Sequence, residues 1–207
     1  MGIRISDERR RKDWRSPTAA LAVVLMVLAA SCSTKKSEAQ LAADALAKGI
    51  PAQEAGRLAE AAGDYREVLV HDPNSKFAYY NLGLIDQTNG ALASAESNYR
   101  LALSIDPGFT SALYNLAIVR HDLGDLKESI DLYRQVIQLE PENASAHLNL
   151  GFALIEAHQK IRGNAELQIA VQLNPDFADR VNAATTSPSP KPSEGSPSPT
   201  ETISPSA

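Results

Sequence analysis

The chain has 207 residues, of which 43% are hydrophobic, 22% charged and 5% aromatic, and its formal net charge is −5. The first 16 residues carry six basic and three acidic side chains, so the remaining residues carry a net charge of −8. Such an acidic body lacks the basic surface that nucleic-acid binding requires. Cys32 is the only cysteine, which excludes an internal disulfide and a metal cluster held by thiolates.

An uninterrupted apolar segment follows the basic start. Residues 19–30 are all apolar, and Ser31, Cys32 and a polar stretch come directly after them. A membrane-spanning helix needs about 20 apolar residues, whereas the apolar core of a signal peptide has about 7–15. The length predicts that residues 1–33 are a basic segment plus a signal peptide or membrane anchor, with the basic end on the cytoplasmic side.

Three outcomes for this segment stay open. Ala30, Ser31 and Cys32 resemble the lipobox of bacterial lipoproteins, in which the cysteine is lipidated and becomes the mature N-terminus, although Ala29 stands where that motif usually has Leu, Val or Ile. Ala29, Ala30 and Ser31 also fit ordinary signal cleavage, and the segment can equally stay as a short uncleaved anchor. All three place the body on the extracytoplasmic side, and the anchored forms place it at the cell membrane or envelope.

Residues 37–75 are predicted to form two helices. The first extends from about Ser37 to Lys48 and ends before Pro51, because proline lacks the amide hydrogen and clashes with the preceding turn. The second ends at Asp72-Pro73. Its apolar residues at helical spacing are Leu58, Ala61, Tyr65 and Val68. We expect this irregular pair to act as an N-terminal cap.

A period of 34 residues runs through the middle of the chain. Pro73, Pro107, Pro141 and Pro175 stand at this interval. The same interval relates Tyr65 to Tyr99, Tyr133 and Leu167, then Asn81-Leu82-Gly83 to Asn115-Leu116-Ala117 and Asn149-Leu150-Gly151, and Gly56 to Gly90 and Gly124. So many columns in one phase indicate one repeated structural unit.

Each unit has the pattern of two antiparallel helices. In the first complete unit, Ala78, Leu82 and Ile85 give the first helix an apolar stripe. Asn89-Gly90 then marks a turn, and the second helix ends at Asp106-Pro107. Neither helix can bury its stripe alone, so we expect successive pairs to stack and complete the core.

The last unit departs from this pattern. His158 replaces the turn glycine, Lys160 replaces an apolar residue, and Gly163 stands in the column of Ala95. The second helix is expected to pack mainly through Leu167, Ala170, Val171 and Leu173.

The end of the chain is predicted to have little structure. Phe177 and Val181 are expected to form a remnant of a capping helix. Residues 178–207 are assigned to a tail that becomes almost entirely Ser, Thr, Pro and charge from Thr185. Such a tail lacks the apolar surface needed to offset the entropy of folding, and it is expected to be disordered.

The period, the small-residue columns and the terminal proline resemble the tetratricopeptide repeat (TPR) family. The clear repeats are residues 76–109, 110–143 and 144–177, preceded by a degenerate repeat at 37–75. The resemblance implies an all-α fold, a right-handed α-solenoid of stacked antiparallel helix pairs. It also implies a protein-protein interaction adaptor or scaffold.

In this family the first helix of each pair lines a concave groove that commonly binds a peptide or helix of a partner. Carried over to this sequence, the groove contains Phe77, Tyr80, Asn81, Leu84 and Gln87; Tyr114, Asn115, Ile118, His121 and Asp122; and Leu148, Asn149, Phe152 and Glu156. Two interpretations of the recurring asparagines stay open. They form either a row of amides that pairs with the backbone of an extended peptide, or a consensus feature that bonds neighbouring helices.

The groove columns contain no Lys or Arg, and Arg120 is predicted to point toward the next repeat. This composition argues against the clamp with which some family members hold a terminal carboxylate, since that clamp uses basic residues of the first helices. An apolar and aromatic surface with amides and a few acids favours an apolar, neutral or basic segment.

No pattern indicates catalysis. The four histidines show no HxxxH or HExxH spacing, and the glycine motifs of phosphate-binding loops and nucleophile elbows are absent. We therefore expect no catalytic, metal or cofactor site. Three functions are consistent with the sequence: an envelope adaptor whose groove binds a protein partner, a structural component of a secretion or cell-wall assembly, and a non-catalytic accessory subunit of an envelope enzyme.

Overall fold

The structure is a computed structural model that describes residues 36–186, and every regular element in this range is helical. The helices are α1 (Glu38–Glu54), α2 (Leu58–His71), α3 (Lys76–Thr88), α4 (Leu92–Ile105), α5 (Thr110–Asp122), α6 (Leu126–Leu139), α7 (Ala144–Glu156) and α8 (Lys160–Leu173), followed by a 3-10 turn (Pro175–Phe177) and α9 (Ala178–Thr186). The predicted signal or anchor segment, with Cys32, lies outside the described residues, as do residues 187–207.

Consecutive helices pack as antiparallel pairs, α1 with α2, α3 with α4, α5 with α6 and α7 with α8, and each pair stacks on the next. Small side chains allow the close approach: Ala61, Ala78, Ala95, Ala102, Ala112, Ala146 and Ala170 are all 0% exposed. Because interiors are close-packed, a larger side chain in any of these positions would force the helices apart. The predicted all-α solenoid is confirmed.

A glycine–tyrosine contact sets the helix separation in the first two pairs. A Cβ atom built on Gly83 of α3 would stand 2.6 Å from Cε1 of Tyr99 in α4. The same contact recurs between α1 and α2, where a Cβ atom on Gly49 would stand 2.8 Å from Cε1 of Tyr65. Both tyrosines are 0% exposed. Any side chain at these glycines would therefore displace a buried ring.

The predicted end of the first helix is wrong, because α1 continues past Lys48 and includes Pro51. Proline removes one backbone hydrogen bond from the helix. However, Gly49 stands in the same column as Gly83, and Ala52 is 0% exposed in one apolar core with Tyr65. Burial against α2 outweighs the lost hydrogen bond and keeps the 34-residue register intact.

The turn inside each pair contains one residue with a left-handed backbone. Gly56, Gly90 and Gly124 have φ angles of +73°, +74° and +85°, and His158 has a φ of 61° at the same position of the last pair. The substitution of this glycine by histidine therefore leaves the turn geometry unchanged. A residue with a Cβ adopts this conformation at a cost of about 1–2 kcal/mol.

The last pair packs partly as predicted. Leu167 and Ala170 are buried, but Leu173 is 39% exposed, which corrects its assignment to the core. Leu173 ends α8 in the same column as Leu139, which ends α6 and is also exposed. Gly163 contributes instead, since a Cβ atom there would stand 2.6 Å from the carbonyl oxygen of Gly151.

The predicted capping remnant is present and is longer than expected. Phe177 and Val181 pack on a small core of Leu148, Leu167 and Ala170. Residues 178–186, assigned to the disordered tail from their position after the last repeat, form α9. The physical reason is that the last pair exposes an apolar end, which these two side chains cover.

Candidate functional site

The predicted groove residues lie together on α3, α5 and α7, but much of the set is not open to solvent. The buried members are Tyr80, Asn81, Leu84, Asn115, Ile118 and Leu148. The members that keep partial exposure are Phe77, Gln87, Tyr114, His121, Asn149 and Phe152, while Asp122 and Glu156 are exposed. The partly exposed aromatic side chains of the set are Phe77, Tyr114 and Phe152, one on the first helix of each repeat, and we call these three the aromatic line.

Phe109 accounts for the burial of the N-terminal part of this surface. Its ring centroid lies 5.8 Å from that of Phe77 and 5.0 Å from that of Tyr80. The Nζ atom of Lys76 lies 5.1 Å from the centroids of both phenylalanines and 2.5 Å from Asp106 Oδ2. The hydrogen bond from Lys76 lowers the pKa of Asp106. Phe109, which stands just before α5, is not among the predicted groove residues.

The asparagine row bonds helices to one another. The Nδ2 atom of Asn115 donates to Tyr80 Oη at 3.1 Å and to the Ser111 carbonyl at 3.0 Å. The Nδ2 atom of Asn149 donates to Tyr114 Oη at 2.8 Å. In both cases the acceptor is the tyrosine 35 residues earlier, on the first helix of the preceding pair. These contacts favour the helix-bonding interpretation over a row of amides free to pair with a peptide.

Asn81 differs from the other two asparagines. The residue 35 positions before it is Leu46, which has no hydroxyl group. Asn81 is 0% exposed, and neither Oδ1 nor Nδ2 has a hydrogen-bond partner among the described residues. A buried amide without partners destabilises the fold by about 1–3 kcal/mol. The Asn81 amide therefore makes fewer hydrogen bonds than that of Asn115, in which only Oδ1 lacks a partner among the described residues.

His121 lies between two carboxylates at the C-terminal end of the first helices. Its Nε2 atom is 2.9 Å from Glu156 Oε2 on α7, and its Nδ1 atom is 3.6 Å from Asp122 Oδ1. The hydrogen bond to Asp122 raises the pKa of His121, burial opposes this, and the bond to Glu156 raises it further, so the pKa lies above 6.5. His121 thus forms a pH-dependent link between two repeats.

Arg120 points in the opposite direction from the one predicted. Its guanidinium lies 2.9 Å from Glu96 Oε2 on α4 of the preceding repeat, 2.5 Å from Asp125 Oδ2 and 2.7 Å from Glu128 Oε2. Arg100 joins the same glutamates at 2.9 and 2.7 Å. Burial raises the pKa of Glu96, but the hydrogen bonds from Arg100 and Arg120 lower it by more, to below 4.5. We call these five side chains the ion-pair network.

The geometry reveals a cavity that the sequence analysis did not predict. It lies between α1, the α2–α3 turn, the start of α3 and the end of α4, and its volume is about 660 Å³. Its lining residues are Ala39, Ala42, Ala43, Leu46, Val68, His71, Asp72, Asn74, Ser75, Lys76, Phe77, Ile105 and Asp106. Phe77 belongs both to this cavity and to the aromatic line.

Neither a metal centre nor a bilayer-spanning helix is present within residues 36–186. This part of the chain contains no group of three or more His, Cys, Asp or Glu side chains arranged to hold a metal ion. No helix in the same range has the length and apolar character needed to cross a bilayer. His147 is buried, with Nδ1 2.7 Å from Glu166 Oε2 and Nε2 3.0 Å from the Pro141 carbonyl oxygen, which is a structural arrangement.

Known repeat families account for this helix arrangement. Residues 46–108 match the family model for the tetratricopeptide repeat, and residues 119–156 match a second TPR repeat model. No curated protein matches the sequence significantly. The chain therefore carries tetratricopeptide repeats, and such repeats are in general protein-interaction modules.

Solved structures share this fold. The crystal structure of MamA has a TM-score of 0.62 at 20% identity, covering 78% of this chain and 91% of that chain. A structure of pilF from Pseudomonas aeruginosa has a TM-score of 0.61 at 20% identity, covering 72% and 73% of the two chains. The first TPR of Spaghetti (RPAP3), bound to the HSP90 peptide SRMEEVD, has a TM-score of 0.56 at 26% identity, covering 57% and 94%.

Proposed function

We propose that the chain is a membrane-associated adaptor that binds an extended segment of a partner protein along its first helices. The observation that carries this proposal is the aromatic line, whose partly exposed members Phe77, Tyr114 and Phe152 lie on the first helices of three successive repeats. Phe77 also lines the cavity. Partly exposed aromatic side chains in a row are typical of partner sites, since each contributes a large apolar area.

The partner segment is expected to differ in charge from the peptide SRMEEVD, which the similar Spaghetti (RPAP3) repeats bind. An acidic peptide needs basic counter-charges, and the groove columns of this chain have none. Lys76 is the nearest cation, and Asp106 already neutralises it at 2.5 Å. The exposed Asp122 and Glu156 would repel acidic side chains. An apolar or neutral segment therefore fits best.

Site-specific crosslinking in cells tests the groove. A photoreactive phenylalanine analogue replaces Phe77, Tyr114 or Phe152 in turn, with Ala93 and Lys127 on the outer helices as matched controls. The same partner should be crosslinked from the three groove positions and from neither control. Crosslinks from the controls alone would contradict the groove.

An alternative function is supported by the outer face of α8. Ile161 is 89% and Ile169 36% exposed there, whereas α6 carries Lys127 and Gln135 in the same two columns. An exposed apolar stripe on the convex side suits a structural component of an envelope assembly, held by that face. Crosslinks from position 161, with none from position 114, would favour this alternative over the adaptor.

Membrane association is proposed from the sequence of residues 17–32. Metabolic labelling with an alkyne fatty acid should mark the wild-type chain and should fail in Cys32→Ser if Cys32 is lipidated. An uncleaved anchor predicts no label but a membrane-bound chain whose intact mass includes residues 1–33. A labelled Cys32→Ser variant would contradict lipidation.

A further inference from the structure

The cavity has an apolar floor. Ala39, Ala42, Ala43 and Leu46 of α1 form one side, and Val68, Phe77 and Ile105 form the other. The three alanines leave room that longer side chains on the same face would fill. A volume of about 660 Å³ is large enough for one or two bulky side chains, because it lies within the range of small-molecule sites.

The basic groups at the mouth of the cavity are already paired inside the chain. Lys76 Nζ lies 2.5 Å from Asp106 Oδ2, and His71 Nδ1 lies 2.6 Å from Glu38 Oε2. Asp72 accepts a hydrogen bond from the backbone N–H of Asn74 at 3.1 Å. An anionic ligand would lose its hydration here without gaining an unpaired cation, so this mouth favours an uncharged ligand over an acidic one.

Ser75 adds a hydrogen-bond donor to this apolar space. It occupies the N-cap position of α3, is 8% exposed and lines the cavity. Serine in this position usually accepts a hydrogen bond from the helix, as Asn143 does from the Ala146 N–H at 2.9 Å in the equivalent position of α7. The Ser75 hydroxyl caps no backbone group and has no hydrogen-bond partner among the described residues.

We infer that this cavity is the anchor point for the partner: it takes an uncharged apolar side chain of an extended segment, while Ser75 Oγ donates to a backbone carbonyl of that segment. A carbonyl meets the donor without adding charge, and the side chain beside it covers the alanines and Phe77. The segment then follows the aromatic line from Phe77. This inference rests on the proposed function and names the chemistry of its ligand.

The test uses the full-length protein and a small probe, N-acetyl-photoleucine methylamide, which carries an apolar photoreactive side chain between two carbonyls. The matched charged probe is N-acetyl-photoleucine with a free carboxylate. After illumination, mass spectrometry maps the labelled residues. The neutral probe should label residues 39–46 and 74–77, and the carboxylate probe should label them more weakly.

Two pairs of variants locate the contacts. Ala43→Leu fills the cavity from an exposed position and should abolish the label, whereas Ala47→Leu, one turn further along α1 and outside the lining, should leave it unchanged. Ser75→Ala should lower labelling about three- to ten-fold, the effect of one lost hydrogen bond, whereas the exposed Ser97→Ala should not. Because the Ser75 hydroxyl caps no backbone group, Ser75→Ala should keep the wild-type melting temperature.

Several outcomes would overturn the inference. Equal labelling of Ala43→Leu and Ala47→Leu, stronger labelling by the carboxylate probe, or a lower melting temperature in Ser75→Ala would each do so. Absence of label in the cavity would also overturn it, while crosslinks from Tyr114 in cells would still support the groove. Loss of those cellular crosslinks together with persistent cavity labelling would instead contradict the proposed function.

Discussion

The joint between the first two helix pairs and the joint between the second and third have the same packing but different polar contacts. At the middle joint, Asn115 donates to Tyr80, and Arg120 connects α4, α5 and α6 through the ion-pair network. At the N-terminal joint, Leu46 stands in the column of Tyr80, and Asp86 stands in the column of Arg120. The cavity also lies at this joint.

A repeat array can therefore keep a uniform backbone while its local stability varies. Stability in stacked repeats is roughly a sum of unit and neighbour terms. The N-terminal joint lacks the counterparts of the Asn115–Tyr80 hydrogen bond and of the Arg120 ion pairs, and it contains one buried amide, that of Asn81, without partners among the described residues. We therefore expect the α1–α2 pair to open at a lower free energy than the middle pairs.

Removing a buried tyrosine should change stability most, and it should act differently in the first and second helix pairs. Tyr99→Ala removes a fully buried ring from the second pair and should lower the free energy of unfolding by about 3–5 kcal/mol. Tyr65→Ala removes the equivalent ring from the first pair, and it should release α1 and α2 while α3 to α8 stay folded. Hydrogen exchange followed by mass spectrometry distinguishes local from global opening. Equal loss of protection in α6 for both variants would show that the N-terminal joint is as strong as the middle one.

The ion-pair network should contribute the next largest effect. Arg120→Met keeps the apolar stem but leaves Glu96 and Glu128 with only Arg100, so the free energy of unfolding should fall by about 2 kcal/mol at neutral pH. Asp86→Met, in the same column of the N-terminal joint, is the matched control and should change it less. Denaturant titration at constant ionic strength measures both. A larger effect of the control would reverse the proposed ranking of the joints.

The same network predicts the behaviour in acid. The folded-state pKa of Glu96 lies below 4.5, so its contribution is present above the unfolded pKa and is lost as the pH falls through the folded value. Stability measured between pH 6 and pH 3 should therefore fall less steeply in Arg120→Met than in the wild type. An unchanged slope would exclude Glu96 as a source of the acid sensitivity.

Most of the fold could be predicted from the sequence, because the 34-residue period places similar residue types at equivalent positions of each helix pair. The end of α1 could not, since the local rule for Pro51 competes with packing that places Gly49 against Tyr65. Similarly, Leu173 is an apolar residue of the kind found in cores, but it is exposed because it lies at the end of α8. Local propensity fails where a tertiary contact decides the outcome.

The candidate site was less predictable. The columns identified which side chains share the first helices, but burial depends on the neighbouring pair, which the pattern does not specify. Phe109 closes over Tyr80 because it happens to be large in a column that elsewhere contains Ser75 and Asn143. The partners of Arg120 depend on glutamates of two other helices. A search for the residue 35 positions before each asparagine could have found the tyrosine partners.

Substitution of Asn115 or of Asn81 by leucine should change the free energy of unfolding by amounts that differ by about 1 kcal/mol or more. Asn115→Leu should lower the free energy of unfolding by about 1–2 kcal/mol, because it removes the bonds to Tyr80 and to the Ser111 carbonyl. Asn81→Leu replaces an amide without partners by an apolar side chain of similar size, so it should be neutral or stabilising. Thermal unfolding of both variants checks this. Equal destabilisation would indicate that Asn81 is hydrogen-bonded in solution.

The smallest effect concerns His121, at the joint between the third and fourth pairs. Its folded-state pKa lies above 6.5, so the ion pairs with Asp122 and Glu156 add stability that is fully present below pH 6.5 and is lost as the pH rises through the folded value. Because both carboxylates are exposed, the contribution should be below about 1 kcal/mol. His121→Gln should remove this part of the pH dependence, whereas His158→Gln, in a turn, should not. Melting curves between pH 5 and pH 8.5 provide the measurement. An equal pH dependence of the melting temperature in the wild type and in His121→Gln would contradict the link.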